Sequence, residues 1–291
     1  MFDDMPGFIW MDGQLMPWKD ARIHIMTHAL HYGSSVFEGV RSYRGKIFKG
    51  MEHCERLHAS ANMLAIKVPY TPFELLKAME LVLSKGQYQN AYIRMLVWCG
   101  SKVMTVSNRD IDIHVAIGMW ERPLNYPRAY YEEGLKLKVA SWRRPDPKSA
   151  PVASKAAGLY MISSMSKVDA EINGFNDALM LDLQGRIAEA TSSNVFFVID
   201  DILYTPPPEC FLNGITRNTV IDLARSIGIG VKESPLTLVD LEKATEGFLT
   251  GTAIEILPIG SIEDRPFSWK FKPGPVTQKI RNAFLQMIET F

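Results

Sequence analysis

The chain has 291 residues, of which 47% are hydrophobic and 22% charged, which is ordinary globular composition, long for one core and comfortable for two lobes. Lys+Arg and Asp+Glu both number 32, for a formal charge of +0. That balance offers neither a nucleic-acid footprint nor a polybasic membrane patch, and it favours a small-molecule partner. The acidic opening Met1-Phe2-Asp3-Asp4-Met5-Pro6-Gly7 lacks a basic segment leading into an apolar one, and no stretch nears the ~20 apolar residues of a membrane span; a cytoplasmic protein is expected. Cys54, Cys99 and Cys210 are widely spaced and form no CxxC pair, which fits reduced thiols rather than disulfides, and no metal is expected.

Trp10-Met11-Asp12-Gly13-Gln14-Leu15 reads as a hairpin turning on Asp-Gly, so an N-terminal sheet is expected. Residues 28–41 mix glycines, small residues and aromatics with no clean period. Glycines such as Gly39 let a backbone approach a ligand closely, and Tyr32 and Phe37 offer aromatic surface; the run suits a cavity wall, with a glycine-bent strand as the plain alternative. Arg44-Gly45 turns into a short strand at Lys46-Ile47-Phe48. Over 52–66, Leu57, Ala61 and Leu64 share a helical face flanked by Arg56 and His58. A second helix has Thr71 as N-cap, Pro72 at its first position, Glu74 closing a capping box and Gly86 as its stop. In the strand over 92–98 the period of two puts Tyr92 and Arg94 on one face. A phenol and a guanidinium together suit a carboxylate, unless the arginine faces water from an edge strand.

Another strand covers 111–117, and the proline-bracketed stretch 121–128 breaks the pattern. A small N-terminal lobe over 1–121, an interdomain loop over 122–132 and a larger lobe over 133–291 are expected. The larger lobe begins with a strand over 135–142. A later strand over 177–183 turns at Gln184-Gly185 and returns through 187–198, carrying Glu189 at the end of a buried-looking hairpin, where a turn glutamate bonding nearby amides is the alternative. Leu212-Asn213-Gly214-Ile215-Thr216-Arg217 opens a helix that stops at Gly228. Free N–H groups and the positive dipole end make that start a phosphate site, although Thr216 could equally be a plain N-cap. Gly251-Thr252-Ala253, between two strands, exposes amides that could hold an anion. An amphipathic helix from Pro275, apolar at Val276, Ile280, Phe284, Met287 and Ile288, closes the chain.

Pro151-Val152-Ala153-Ser154-Lys155-Ala156-Ala157-Gly158-Leu159-Tyr160 sets one lysine among small and apolar residues. Such surroundings disfavour the ammonium form, which is what an amine needs to act as a nucleophile or Schiff-base partner; a solvated surface lysine is the bland alternative. After it, Leu159, Ile162, Met165, Val168 and Ile172 recur at helical spacing, so an amphipathic helix is expected to bury that stripe. A candidate Schiff-base lysine, a downstream buried carboxylate and a glycine-led helix start are the handles that pyridoxal 5′-phosphate needs for its aldehyde, pyridine nitrogen and phosphate.

At this point the chain resembles the class IV, branched-chain-type aminotransferases. The resemblance runs nearly end to end and in order: Tyr32 through Arg41, Arg56, Tyr92-x-Arg94, Ser154-Lys155 with Tyr160, Glu189-Ala190 with Asn194, Gly214-Ile215-Thr216-Arg217 and Gly251-Thr252-Ala253. It implies an α/β (α+β), two-lobed fold-type IV enzyme, with a small N-terminal α/β lobe and a larger lobe built on a mixed, barrel-like sheet. It implies pyridoxal 5′-phosphate as cofactor, with Lys155 carrying it and shuttling the proton, Tyr160 on the ring hydroxyl and Glu189 on the pyridine nitrogen. Arg56, Ile215, Thr216 and Thr252 would hold the phosphate. The segment 32–41 looks like the branched-chain form rather than the D-amino-acid aminotransferase or the aminodeoxychorismate lyase. The family's pattern then gives an apolar pocket from Phe37 and Gly39, the α-carboxylate on the Thr252-Ala253 amides with Tyr92, and the glutamate side chain on Arg94 with Tyr32. Leucine, isoleucine, valine, glutamate and their 2-oxo acids are the implied substrates, and a homodimer or dimer-based oligomer the implied assembly. One departure is Leu124-Asn125-Tyr126-Pro127-Arg128, where such enzymes carry a glycine-rich tyrosine segment; Arg128 is expected to add a cation near the entrance. A non-catalytic vitamin-binding protein on the same fold is the reading from another class, and the intact Lys155, Tyr160 and Glu189 set argues against it.

Overall fold

The computed structural model describes residues 2–122 and 126–291, and the Pro123-Leu124-Asn125 part of the expected interdomain loop lies outside them. The chain divides into two compact units, Met1–Leu124 with Ser154–Tyr160 and Asn125–Ala153 with Met161–Phe291. The lysine segment was expected within the larger lobe, yet it groups with the first unit. There Ala156 bridges Val36, and Lys155 O accepts from Phe37 N at 3.1 Å.

In the first unit, β1 (Phe8–Met11) and β2 (Gln14–Pro17) form the expected hairpin, its turn residues Asp12 and Gly13 at φ 49 and φ 89. That is the left-handed pair that lets a two-residue turn follow the strand twist. A short helix α1 (His28–Tyr32) opens the run read as a cavity wall, ends on Gly33 at φ 66, and leads into β3 (Ser35–Tyr43) and β4 (Lys46–Ile47). Helices α2 (Gly50–Met63) and α3 (Pro72–Gly86) precede β5 (Ala91–Cys99) and β6 (Ile113–Glu121), and the sheet runs β2-β1-β6-β5-β3-β4. The capping box of Thr71 and Glu74 starts α3 as expected. The left-handed residue at its end, however, is Gln87 at φ 54, not Gly86. Gly86 is needed for another reason: a Cβ there would sit 2.2 Å from the Tyr88 ring. Leu57, Leu75, Met79, Ile93 and Met95 are fully buried in one core, each contributing about 1.5–3 kcal/mol through burial. Because β5 alternates, that core takes Ile93, Met95 and Val97 while Tyr92 and Arg94 stand on the opposite face, half-buried.

The second unit starts with the short helix α4 (Arg128–Glu132) and β7 (Leu135–Arg143), followed by α5 (Tyr160–Ile172) and the strands β8 (Asp177–Leu181), β9 (Ile187–Ala190), β10 (Asn194–Ile199) and β11 (Ile202–Thr205). Helix α6 (Ile215–Ser226), β12 (Val231–Glu233), β13 (Glu246–Gly251), β14 (Glu255–Asp264), β15 (Phe267–Lys270) and α7 (Pro275–Thr290) complete it. The sheet follows β12-β11-β10-β13-β14-β7-β8-β9, with β15 on β14. It is mixed, with β11/β12, β14/β7 and β7/β8 parallel. Ala190 N donates to Ser193 O at 2.8 Å, joining β9 to β10 across the path, so the sheet curls in the barrel-like manner expected.

Helix α5 reverses one expectation. Its buried residues are Ser163, Ser166 and Ala170, while Met165, Val168 and Ile172 are 43%, 50% and 80% exposed. Small side chains on the inner face let the helix lie close to Ala140, Ala178 and Met180, so Met165, Val168 and Ile172 mark the outward face, while Leu159 and Ile162 are partly buried against apolar clusters. Helix α7 buries Ile280, Phe284 and Ile288 of the five expected apolar positions, with Val276 and Met287 partly buried.

Candidate active site

In the first unit, Lys155 is half-buried and held by backbone before its side chain is considered. Its N–H donates to Ser60 Oγ at 2.9 Å, and the neighbouring Ser154 hydroxyl donates to Ser60 O at 3.0 Å. Nothing in the sequence singled out Ser60, because its role depends on α2 running beside a segment more than ninety positions away. The Lys155 ammonium donates to the Tyr160 hydroxyl at 2.8 Å. Its Nζ lies 5.0 Å from the centroid of Phe37, whose ring meets Tyr160 edge-on at 4.7 Å. On the other side the Arg94 guanidinium carbon is 4.6 Å from the same Phe37 centroid. Arg94 Nε is buried with no hydrogen-bond partner among the described residues, an orphaned donor that suits an incoming carboxylate.

Gly39 pairs with Arg94 across β3 and β5, and a Cβ there would fall 2.0 Å from the Tyr92 hydroxyl. The space over this glycine is therefore taken by Tyr92. Tyr32 stands apart, 47% exposed with its ring 4.6 Å from His28 and with no hydrogen bond, ion pair or ring contact to Arg94 among the described residues.

Arg56 is organised by two residues that sequence reasoning passed over. Glu38, on the α2-facing side of β3, is fully buried and accepts from Arg56 Nε at 2.6 Å, Arg56 Nη2 at 3.0 Å and His53 Nδ1 at 2.7 Å. Burial alone would raise the Glu38 carboxyl, but Arg56, His53 and their hydrogen bonds outweigh it and hold it well below the usual carboxylate range. Burial lowers His53 in spite of Glu38, so a neutral imidazole donates to an ionised carboxylate. The signal available was a Glu-x₁₄-His-x₂-Arg spacing, which means nothing until β3 lies against α2. Burial also pushes the Cys54 and Cys210 thiols up to about 12 and about 11, leaving neither as a nucleophile at neutral pH.

In the second unit, Glu189 is buried on β9 within the curled sheet, not in a turn. Arg144 Nε lies 3.4 Å from Glu189 Oε1 and donates to Cys210 O at 3.3 Å. Asn194 Nδ2 donates to Glu189 Oε2 at 3.4 Å and to Leu212 O at 3.2 Å. Ile215 and Thr216 are the first two residues of α6; the N-cap is Gly214, with no side-chain cap hydrogen bond, so Thr216 is not the plain N-cap. Thr252 and Ala253 lie half-buried in the turn between β13 and β14, and Tyr126 donates to Ala253 O at 3.1 Å. Next to that turn, Ser193 Oγ is buried without a hydrogen-bond partner among the described residues, and its Cβ lies 3.6 Å from where a Cβ on Gly251 would be. An uncapped helix start and an orphaned hydroxyl beside a glycine fit a phosphate. Arg128 is highly exposed and pairs with Glu132 one turn along α4, an arrangement of small energetic weight. Among the described residues no helix is long and apolar enough to cross a membrane.

The model of the amino-transferase class IV family matches residues 35–262. The probable branched-chain-amino-acid aminotransferase of Rickettsia felis is 47% identical over 88% of this chain and 87% of its own length. The branched-chain-amino-acid aminotransferase of Escherichia coli K12 is 38% identical over 95% and 91%. Among solved structures, an Escherichia coli branched-chain amino acid aminotransferase superposes with a TM-score of 0.92 at 36% identity, covering 98% of this chain and 95% of that one. The branched-chain amino acid aminotransferase of Thermobaculum terrenum in its PLP form superposes with a TM-score of 0.86 at 30% identity, covering 97% and 94%.

Proposed function

The chain belongs to the class IV aminotransferases, and from that premise we propose that it transfers the amino group between leucine, isoleucine or valine and 2-oxoglutarate with pyridoxal 5′-phosphate. The observation that carries this reading is the Phe37 ring, met at 5.0 Å by the Lys155 ammonium and at 4.6 Å by the Arg94 guanidinium. A reactive amine thus shares a surface that is apolar enough for a branched side chain and cationic enough for a distal carboxylate. When bound, the cofactor supplies an aldehyde and a ring that draws electrons from the substrate Cα as its proton leaves. Lys155 would hold the cofactor at its aldehyde and, once the amino substrate has displaced it, would move the Cα proton; Tyr160, within hydrogen-bond reach of Lys155, would orient the amine and meet the ring hydroxyl. Glu189 is the carboxylate for the ring nitrogen, with the Arg144 guanidinium 3.4 Å from it. Arg56, Ile215, Thr216 and Thr252 hold the phosphate. The Thr252-Ala253 amides and Tyr92 hold the α-carboxylate; Gly39 gives Tyr92 its room, and Arg94 takes the glutamate carboxylate.

The protein acts in the cytoplasm, and its assembly is a homodimer or a dimer-based oligomer; exposed apolar side chains in each unit, among them Tyr32, Val106, Met161 and Ile172, support the assembly, and light scattering that finds only monomer would remove it. The activity is tested by single-turnover rates for L- and D-amino donors, with borohydride trapping to map the cofactor. Leucine and glutamate should both react and the adduct should sit on Lys155. Reaction of D-donors alone, or pyruvate release without a 2-oxo acceptor, would assign a different member of the family. Arg94→Leu should then separate the donors. Glutamate should lose about 30- to 5,000-fold, corresponding to ~2–5 kcal/mol for one partner of a desolvated pair, and leucine less than about tenfold. Equal losses would place the common α-carboxylate on Arg94.

A further inference from the structure

Gly214 has φ −69 and ψ 133, an extended conformation open to every residue, so its backbone does not require glycine. What excludes a side chain is Asn194: a Cβ on Gly214 would lie 2.0 Å from Asn194 Oδ1 and 3.2 Å from its Cγ. Asn194 is itself 5% exposed and held at the start of β10, where it pairs with Thr250 of β13. Its amide nitrogen reaches the Glu189 carboxylate at 3.4 Å and the Leu212 carbonyl at 3.2 Å, while its amide oxygen presses on Gly214, the residue before α6. One side chain therefore touches the carboxylate read here as the ring-nitrogen partner and the backbone that enters the helix start read as the phosphate cup.

Resting on the function proposed above, we infer that Asn194 is a positioning residue that keeps Glu189 and the start of α6 in register, with Gly214 as the clearance that lets it do so. A change at the phosphate end is then transmitted to the nitrogen end through one amide. The closest alternative is local: Gly214 would serve only the helix start and Asn194 only Glu189.

The test is a double-mutant cycle on the apoenzyme with wild type, Gly214→Ala, Asn194→Ala and the double variant. Dissociation constants are measured for pyridoxal 5′-phosphate and for pyridoxal, which lacks the phosphate. Gly214→Ala should weaken pyridoxal by about tenfold or more, although the altered residue lies at the phosphate end. Asn194→Ala alone should cost a similar factor, and adding it to Gly214→Ala should cause no further loss, giving about tenfold coupling between neighbouring sites. Additive losses, or a Gly214→Ala effect on the phosphorylated ligand alone, would overturn the inference. Should Gly214→Ala fail to fold, Asn194→Ala is compared with wild type using pyridoxal and, as a competitor of cofactor uptake, inorganic phosphate. Weakening of both supports the link, and weakening of one or neither breaks it. A wild-type protein that takes up no pyridoxal 5′-phosphate would sink the functional reading itself, whereas normal wild-type uptake with unlinked variants sinks only this inference.

Discussion

Helices α6 and α7 of the second unit both begin after a glycine crowded by a neighbouring side chain, yet their first turns are satisfied differently. At α7 a Cβ on Gly274 would meet Glu246 Cδ at 2.3 Å, and the Glu246 carboxylate accepts from Val276 N at 3.1 Å and Thr277 N at 2.8 Å. The chain's own anion closes that helix end. At α6 the crowding residue is the neutral Asn194, which points its donor at Glu189 and Leu212, and Gly214 makes no side-chain cap. The same local device closes a helix start with the chain's own anion where the neighbour is a carboxylate and supplies none where it is an amide, and a helix start favours negative charge whether that charge is internal or external.

Giving α6 an anion of its own should make it behave like α7. Thr216→Asp places a carboxylate in the first turn and is expected to weaken pyridoxal 5′-phosphate binding by about 100-fold or more through like-charge repulsion of several kcal/mol, with the apoenzyme melting temperature unchanged or slightly raised. A loss under about tenfold, measured by spectral titration of the apoenzyme, would mean that the phosphate does not bind at this helix start.

Removing the anion from α7 is the converse and a smaller effect. Glu246→Gln leaves buried N–H groups poorly matched, at a cost of about 1–3 kcal/mol, or roughly 2–4 °C in melting temperature per kcal/mol at this size. Cofactor affinity should stay within about twofold; a parallel loss of affinity would show that the two helix ends are not separable.

The first unit sharpens the contrast with Glu38, His53 and Arg56, where an internal carboxylate is matched by an internal cation. Folding holds Glu38 below its ordinary range and lowers His53 from its ordinary value of 6.5. In both cases the unfolded chain binds the proton more readily, so stability is lost as the pH falls. His53 contributes first, from about 6.5 downward; Glu38 follows at more acid pH. The charged groups acting on His53 are Glu38, Arg56 and Lys155. His53→Gln should therefore flatten the decline in melting temperature just below pH 6.5, where one differentially bound proton is worth at most about 1.4 kcal/mol per pH unit. An unchanged slope would show that His53 is protonated in the fold or that other groups set the acid limit.

Much of this was legible because it depends on neighbours in the chain. The Asp12-Gly13 hairpin, the Thr71 and Glu74 capping box and the Tyr92/Arg94 face follow from turn chemistry, reciprocal capping and strand alternation, all of which operate within a few residues. The α5 stripe misled for a physical reason: periodicity shows that a helix has two faces, while the direction each face takes depends on what packs against it. Ser163, Ser166 and Ala170 win the interior because small residues allow close approach to Ala140 and Ala178.

By itself the amino-acid sequence determined the order of the longer strands and helices, the isolation of Lys155 among small residues, and the glycine before α6. Each of these depends on local conformational preference and charge. Only the tertiary structure decided that Ser60 would anchor Lys155, that Glu38 and His53 would aim Arg56, and that Gly39 and Gly214 are glycines for the sake of Tyr92 and Asn194. Those assignments come from side chains brought within 2–4 Å of one another by folding, and contacts of that range, with the burial that strengthens their electrostatics, do not exist until distant segments have packed.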